Sequence, residues 1–258
     1  MHILVTNDDG VNDPGLLALA QAMRPLGDVS ILAPDRNWSA SGHVKTMHRP
    51  LRVKTTLLTD GTSALASDGA PSDCVALALM GLLPDKVDLV VSGINPYANF
   101  GHDLTYSGTV TAAMEGAIYG IPSLAFSFNG SDDLPQPVDY SPAARVARVI
   151  ARQVVARGLP ANTLLNVNIP ALPYEKIRGY RIARQGTRIY RDRLLQREDP
   201  RGRPYYWIGG DAPIGVPEAG TDFGALDAGF VSITPVQLDL TAYGFMPELE
   251  KWSWDDQE

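Results

Sequence analysis

The sequence has a single cysteine and no long apolar run, and both features narrow the range of folds. Cys74 stands alone among 258 residues, which excludes an intrachain disulfide and a cysteine-rich zinc site and fits a reducing, cytoplasmic compartment. No stretch approaches the roughly 18 uninterrupted apolar residues of a membrane span. The N-terminus also lacks the basic and apolar pattern of a leader peptide. We therefore expect a cytoplasmic protein with no membrane partner.

Positive charge and several common nucleotide motifs are also scarce. Lys and Arg number 22 against 29 Asp and Glu, a formal net charge of -7, which argues against a nucleic-acid polymer as partner. A small anionic substrate stays compatible if a metal or local cations offset the charge. The sequence contains no GxxxxGK[ST], GxGxxG or GxSxG motif, which disfavours a Walker ATPase, an ordinary dinucleotide enzyme and a serine hydrolase.

Apolar periodicity alternates between strand and helix spacing through the first 170 residues. HILVT, VSILAP at 29–34 and VDLVVSGIN at 87–95 are typical of buried strands. A helical spacing of apolar residues fills DPGLLALAQAMRPLG at 13–27, between the first two of these runs. Consecutive strand–helix–strand units predict an α/β fold with a parallel sheet covered by helices.

The pattern changes after residue 173. Residues 174–228 are rich in Arg, Tyr, Gly and Pro, and pieces such as YRIARQ and RPYYWIGG predict hairpins that project from the sheet. A strand signal returns near 229–236, and the tail ELEKWSWDDQE predicts a short docked helix or a partly loose end. We divide the chain into a core, 1–173, that carries the site and a hairpin and C-terminal region, 174–258, suited to oligomerisation. The region 180–207 fits a dimerising arm, a lid over the site, or both.

Polar residues follow three of the predicted strands, where ligands bind in open parallel sheets. Asp8 and Asp9 follow the first strand, Ser39 follows the second, and Asn95 ends VDLVVSGIN. Two adjacent carboxylates repel each other unless a cation lies between them, and Mg²⁺ or Mn²⁺ prefers such oxygen ligands. The pattern predicts one divalent ion held by these four residues. A helix cap with a solvated turn is the alternative interpretation of the Asp pair.

The phrase YSGTVTAAMEG places Ser107, Gly108 and Thr109 directly before a predicted helix. Exposed amides at a helix N-terminus, two hydroxyls and a glycine make a phosphate cradle, but a simple N-cap fits the phrase equally well. Cys74, inside an apolar helix, is predicted to be a buried small hydrophobic residue, and His43 to be a surface residue.

Five segments together resemble the SurE family of metal-dependent nucleotidases. They are, in order, TNDDG, APDRNWSASG, SDGAPSDCVALAL, SGINPYANFGHDLTYSGTVTAAMEG and GFVSITPVQLDLT. The similarity covers residues 1–130 and returns at 221–241. It implies a three-layer α/β/α Rossmann-like sheet with a protruding β-hairpin region and a C-terminal extension. It also implies a homodimer or homotetramer.

The resemblance implies an activity and a residue set. The activity is hydrolysis of nucleoside 5′-monophosphates, with 3′-monophosphates and short polyphosphate as further substrates. The metal ligands carry over to Asp8, Asp9, Ser39 and Asn95, with Asp8 and Asp9 catalytic. The substrate and phosphate site carries over to Asn95, Asn99, Ser107, Gly108 and Thr109. One departure is Tyr97, where the family usually has glycine, which predicts a different loop path and an altered pocket.

Two other functions fit the same residues. A non-hydrolytic nucleotide-binding stress-response protein would use the same edge of the sheet, with Tyr97 blocking the reactive geometry. A glycosyltransferase or hydrolase would use the Asp pair for the metal of a nucleotide sugar. Within the nucleotidase hypothesis, water and an aspartate carboxylate both remain candidate nucleophiles.

Overall fold

A mixed β-sheet forms the centre of the computed structural model, which describes residues 1–130 and 137–254, without the side chains of 211–213. The strands are β1 (His2–Thr6), β2 (Asp28–Pro34), β3 (Val53–Leu57), β4 (Ser63–Ser67), β5 (Leu89–Asn95), β6 (Ser123–Asn129), β7 (Thr163–Pro170), β8 (Tyr180–Ile182), β9 (Arg188–Glu198), β10 (Pro204–Gly215) and β11 (Val231–Gln237). Within the described residues the sheet has nine strands in the order β3-β4-β2-β1-β5-β6-β7-β11-β8. The remaining strands, β9 and β10, form a separate antiparallel hairpin.

Helices connect the strands. They are α1 (Pro14–Met23), α2 (Pro71–Leu77), α3 (Gly108–Ile118), α4 (Ser141–Arg157), α5 (Asp222–Asp227) and α6 (Met246–Leu249). Short 3₁₀ turns cover Arg24–Leu26, Gly101–Thr105 and Tyr174–Lys176, and a π-helical turn covers Ala78–Leu82. None of the helices in the described ranges has both the length and the hydrophobicity to cross a bilayer.

The central strands run in parallel. β1 pairs in parallel with β2 and with β5, so that Thr6 lies beside Ser92 at the carboxyl edge. β6 and β7 continue the parallel order, whereas β3 and β11 are antiparallel to their neighbours β4 and β7. The carboxyl ends of β1, β2 and β5 therefore open on one edge of the sheet.

Two layers of helices bury the two faces of the sheet. Alternate residues of β1 point in opposite directions: Ile3 and Val5 pack with residues of α1 and α4, and Leu4 packs with residues of α2 and α3. Ile3, Leu4 and Val5 are fully buried. Each such side chain contributes about 1.5–3 kcal/mol through burial alone. This packing on both faces fixes the strand ends that carry the polar loops.

The predicted fold class is confirmed as an α/β sheet with helices on both sides. Two elements differ from the expectation. The strand β4, SALAS, escaped the sequence reasoning because its small residues carry little strand signal. YRIARQ was predicted as part of a projecting hairpin, which is wrong: its first three residues form β8, paired in parallel with β11 at the edge of the sheet. The projecting hairpin is β9–β10, with ten registered residue pairs.

The short helix α6 ends at Leu249, so it covers only the first two residues of the tail ELEKWSWDDQE, and none of its residues is buried. The expected docked helix is therefore not found in the described part of the tail. Trp252 and Trp254 lie beyond α6 with ring centroids 5.8 Å apart and are 51% and 72% exposed. Residues 255–258 of the predicted tail lie outside the described residues.

Candidate active site

A cavity of about 530 Å³ opens at the carboxyl edge where β1, β2 and β5 end. Its walls include six of the eight residues predicted from the sequence. These are Asp8, Asp9, Ser39, Asn95, Asn99 and Ser107. A larger cavity of about 700 Å³ lies beside the start of α4, but its walls are mainly apolar and hold none of the predicted residues. The chemistry therefore points to the smaller cavity.

The turn after β1 places both carboxylates, Asp8 and Asp9, at the cavity. The Asn7 side chain accepts a hydrogen bond from the Gly10 amide at 3.2 Å and donates one to the Gly10 carbonyl at 3.1 Å. Gly10 has φ = +106°, and a Cβ there would lie 3.2 Å from the Arg36 carbonyl carbon. Only glycine suits this conformation and contact, so the turn can bring Asp8 and Asp9 to the same cavity.

Asp8 is 3% exposed and lies against the first turn of α3. The Thr109 hydroxyl donates a hydrogen bond to Asp8 Oδ1, and the Gly108 and Thr109 amides also stabilise the carboxylate. Burial raises the pKa of Asp8, and these hydrogen bonds partly oppose the increase. A Cβ on Gly108 would lie only 2.6 Å from Asp8 Cβ, so the residue at 108 has to be glycine for this contact.

Asp9 is held less tightly. Asn37 Nδ2 donates to Asp9 Oδ1 at 3.3 Å, whereas Oδ2 is buried and has no hydrogen-bond partner among the described residues. Burial, followed by the negative charges of Asp8 and Asp13, raises the pKa of Asp9 to about 8. None of the ion pairs found within 1–130 and 137–254 involves Asp8 or Asp9. A buried and a half-buried carboxylate thus share one site without a basic partner.

Ser39 and Asn95, which follow neighbouring strands, bring further oxygen atoms that can bind a metal to the cavity. The Ser39 amide donates to Asn37 Oδ1 at 2.8 Å, which fixes the loop after β2 beside Asp9. The Trp38 amide donates to the Asp8 carbonyl at 2.7 Å and ties the same loop to the turn. Asn95 Nδ2 donates to the Tyr97 carbonyl. The other end of the amide, Asn95 Oδ1, is the oxygen that can bind a cation.

This donor set fits a hard divalent cation. The unpartnered Asp9 Oδ2 needs a donor or a cation, and the paired negative charges favour the cation. The described residues contain no cluster of three or more His, Cys, Asp or Glu suited to a metal. Mg²⁺ and Mn²⁺ commonly bind one or two carboxylates and complete their shells with neutral oxygens and water, which Ser39, Asn95 and the open cavity supply.

The predicted Ser107–Thr109 segment proves to combine a cap with a wall of the site. Ser107 Oγ accepts a hydrogen bond from the Val110 amide at 3.2 Å and caps α3, and Ser107 also lines the cavity. Thr109 is fully buried, and both Gly108 and Thr109 face Asp8. The structure therefore places Ser107 at the cavity and the other two residues behind the Asp8 carboxylate.

Asn99 is held by buried asparagines that the sequence reasoning missed. The Asn99 amide donates to Asn168 Oδ1 at 2.8 Å, and its carbonyl accepts from Asn166 and Asn168 at 2.9 Å each. Its own side-chain amide donates to Ser127 Oγ at 2.8 Å, so one N–H of that amide is already used. The alternating asparagines in the otherwise apolar strand TLLNVNIP were the available signal.

A buried carboxylate joins the loop after β2 to α3. Glu115 accepts hydrogen bonds from His43 Nε2 and Lys45 Nζ, each at 2.9 Å. Burial alone would raise the pKa of Glu115, but these contacts outweigh it and the pKa is lowered. The Gly42 amide also donates to the Tyr106 carbonyl at 2.9 Å. Glu115 was not predicted as a site residue.

Cys74 and His43 have the exposure that the sequence predicts. Cys74 is fully buried, as expected for a small hydrophobic residue, and burial raises the pKa of its thiol. His43 is an exposed residue, as predicted, although its ring contacts the buried Glu115.

The base of the hairpin reaches the cavity wall at Asp103. Arg188 forms an ion pair with Asp103, and the Tyr190 hydroxyl donates to the same carboxylate. This link was not predicted from the sequence, since no pattern within the hairpin segment indicates which residue of the core it contacts.

Comparisons with known proteins agree with one another. The profile of the family described as "Survival protein SurE" matches residues 3–192. A relative from Chloroflexus aggregans, "5'-nucleotidase SurE", is 52% identical over 99% of this chain and 100% of its own. One of the same name from Herpetosiphon aurantiacus is 51% identical over 99% and 100%. The crystal structure of the SurE protein from Aquifex aeolicus has a TM-score of 0.80 and 43% identity and covers 97% of this chain and 98% of its own. The chain belongs to the SurE family.

Proposed function

We propose that the chain is a divalent-metal-dependent phosphomonoesterase that hydrolyses nucleoside 5′-monophosphates to nucleoside and phosphate. The observation that carries the proposal is the pair of the buried Asp8 and the half-buried Asp9, with an unpartnered Asp9 Oδ2, beside the N-terminus of α3. The names of relatives at about half identity over nearly the whole chain support nucleotides as the substrate class. We extend the proposal to 3′-monophosphates and short polyphosphate, because they carry the same phosphoryl group that the proposed contacts would bind.

Asp8, Asp9, Ser39 and Asn95 would hold one Mg²⁺ or Mn²⁺ ion. When bound, the ion supplies Lewis-acid polarisation of a phosphate oxygen and neutralises charge. Asp8 is fixed by Thr109 and by the amides of α3, so its role is positional. Asp9 Oδ2, which has no hydrogen-bond partner among the described residues, would bind the ion, and Asp9 Oδ1, held by Asn37 at 3.3 Å, would accept a hydrogen bond from the attacking water.

The phosphoryl group would lie against Ser107 at the start of α3, where the helix dipole favours negative charge. The second N–H of the Asn99 amide can donate to the same group, because Ser127 uses only the first. In the reaction the water oxygen bonds to phosphorus, the bond from phosphorus to the ester oxygen breaks, and the nucleoside oxygen takes up a proton. The chain thus orients both the phosphate and the water.

A phosphate-release assay tests this function. The wild type is screened with AMP, CMP, 3′-AMP and polyphosphate in Mn²⁺, Mg²⁺ or EDTA, beside Asp9→Asn and the exposed control Asp227→Asn. We expect turnover that EDTA and Asp9→Asn abolish and Asp227→Asn preserves. Saturable binding of AMP without phosphate release would identify a nucleotide-binding protein instead. Trapping of a phospho-enzyme would show that an aspartate, and not water, is the nucleophile.

We also propose a homodimer or homotetramer built through the hairpin and C-terminal region. Large apolar side chains there are open to solvent in the single chain: Trp207 is 64% exposed, Ile208 84% and Leu240 87%. Exposed apolar patches of this kind mark association surfaces. Light scattering coupled to size-exclusion chromatography should report more than one chain per particle, and Ile208→Glu should lower that number if the hairpin contributes.

A further inference from the structure

The walls of the cavity include both charged and aromatic side chains. Asp103, which Arg188 and Tyr190 bind from the hairpin, lines it together with Asp8 and Asp9. Pro96 and Tyr97 line it from the loop that follows β5. A phosphate monoester has one charged end and one end set by its alcohol, so a cavity with both kinds of side chain can contact both parts of a substrate.

The loop that carries Tyr97 is fixed from both sides. The Asn95 side chain donates to the Tyr97 carbonyl, and the Gly130 amide donates to the Pro96 carbonyl at 3.0 Å. Proline at 96 further restricts the backbone. The Tyr97 ring therefore projects from a defined backbone two residues after Asn95, one of the predicted metal ligands.

The Tyr97 side chain is half exposed at the cavity wall. Tyr97 is 52% exposed and lines the cavity together with Asp9. Burial, followed by Asp13, Asp9 and then Tyr97, raises the pKa of Tyr140. Tyr140 in turn packs on Phe128 with ring centroids 6.0 Å apart. A half-exposed ring over a cavity of about 530 Å³ leaves room for a flat ligand group.

We propose that Tyr97 stacks on the nucleobase and sets the preference of this site for nucleotides over phosphate esters that lack a base. The inference rests on the proposed function, since it assumes that the phosphoryl group lies at Asp8, Asp9 and Ser107. A base extending from that point toward the loop after β5 meets the Tyr97 ring. The larger π-face of a purine stacks more extensively than that of a pyrimidine, so purine monophosphates are preferred.

Stacking of a base on an aromatic side chain is strong enough to measure. Loss of such a contact changes affinity by roughly 5- to 150-fold. We expect Tyr97→Leu to raise KM for AMP by roughly ten-fold. KM for CMP should rise less, and KM for ribose 5-phosphate least. Tyr97→Phe keeps the ring and should behave like the wild type.

The experiment compares KM and kcat for AMP, CMP and ribose 5-phosphate in wild type, Tyr97→Phe, Tyr97→Leu and Tyr106→Leu. Tyr106 is the matched control, because it also lines the cavity and is 62% exposed. An equal loss for AMP and ribose 5-phosphate in Tyr97→Leu would mean that Tyr97 only shapes the loop and would overturn the inference. A base-dependent loss in Tyr106→Leu instead of Tyr97→Leu would overturn it as well.

Failure of the proposed function gives a different result. If the wild type releases no phosphate from any ester, the hydrolase proposal fails, and calorimetric binding of AMP and ribose 5-phosphate then tests Tyr97 directly. Weaker binding of AMP, but not of ribose 5-phosphate, to Tyr97→Leu supports the stacking role without turnover. Equal AMP binding by wild type and Tyr97→Leu refutes it.

Discussion

The substitution Gly108→Ala adds one methyl group against the buried carboxylate of Asp8. The added Cβ would lie 2.6 Å from Asp8 Cβ and 2.8 Å from Asp8 Oδ2, distances that require one of the two residues to move. Asp8 has little room, because it is 3% exposed and its carbonyl accepts from the Trp38 amide at 2.7 Å. We therefore expect the carboxylate to shift and its hydrogen bond from Thr109 to weaken.

The size of the effect follows from these contacts. Overpacking of this kind costs about 1–3 kcal/mol, and for a chain of this size each kcal/mol lowers Tm by about 2–4 °C. A displacement of about 1 Å at a catalytic group costs about 100-fold in rate. Gly108→Ala should thus remain folded, with a Tm lower by a few degrees, while kcat/KM for AMP falls by about two orders of magnitude.

The assay combines phosphate release, Mn²⁺ titration by calorimetry and thermal unfolding. Gly244→Ala is the matched control, since a Cβ there has no atom within 4 Å. Wild-type activity together with wild-type Mn²⁺ affinity in Gly108→Ala would refute the reasoning, because the contact between Gly108 and Asp8 would then have no consequence for the site.

Three further predictions follow from buried polar groups. Glu115→Gln removes the charge that pairs with His43 and Lys45, so its free energy of unfolding in urea should be lower than that of the wild type at neutral pH. Because the pKa of Glu115 is lowered in the fold from its ordinary 4.5, this difference should persist above 4.5 and vanish as the pH falls through the folded value; a difference independent of pH would contradict the ion pairs. Asn168→Ala removes two hydrogen bonds to the Asn99 backbone and should raise KM for AMP, whereas the exposed control Asn129→Ala should not; equal KM values would remove Asn168 from the support of the site. The Cys74 thiol should react with Ellman's reagent only in urea, since it is buried and its pKa is raised; fast labelling of the native protein would show that α2 opens.

Much of the core could be predicted from the sequence, because it depends on local patterns. Apolar runs ending in TNDDG and SGIN predict strands whose carboxyl ends meet, and the cavity indeed brings Asp8, Asp9, Ser39 and Asn95 together. The phrase YSGTVTAAMEG predicts a helix directly after Ser107, Gly108 and Thr109; the helix is present, but it already begins at Gly108. These signals need only the residues within one element and the rule for parallel sheets.

The remaining parts of the site depend on contacts between distant segments. Asn168 reaches Asn99 across 69 residues, and Glu115 reaches His43 across 72. No periodicity within either segment encodes such a pairing. The roles of Gly108 and Thr109 could not be predicted from the sequence either. The same sequence in the first turn of a helix can face a ligand or a carboxylate of the protein. Only the structure shows that here it faces Asp8.

The helix α3 fixes the distance between two parts of the site. Its first turn holds Asp8 through Gly108 and Thr109, and Glu115, two turns further along, holds the loop that bears Ser39. The separation between these two attachment points is set by helix geometry, about 10 Å for seven residues. Deleting or inserting a single residue between 109 and 115 would rotate Glu115 by about 100° away from His43 and Lys45. The number of residues between Thr109 and Glu115 is therefore constrained as strictly as the identity of these two residues.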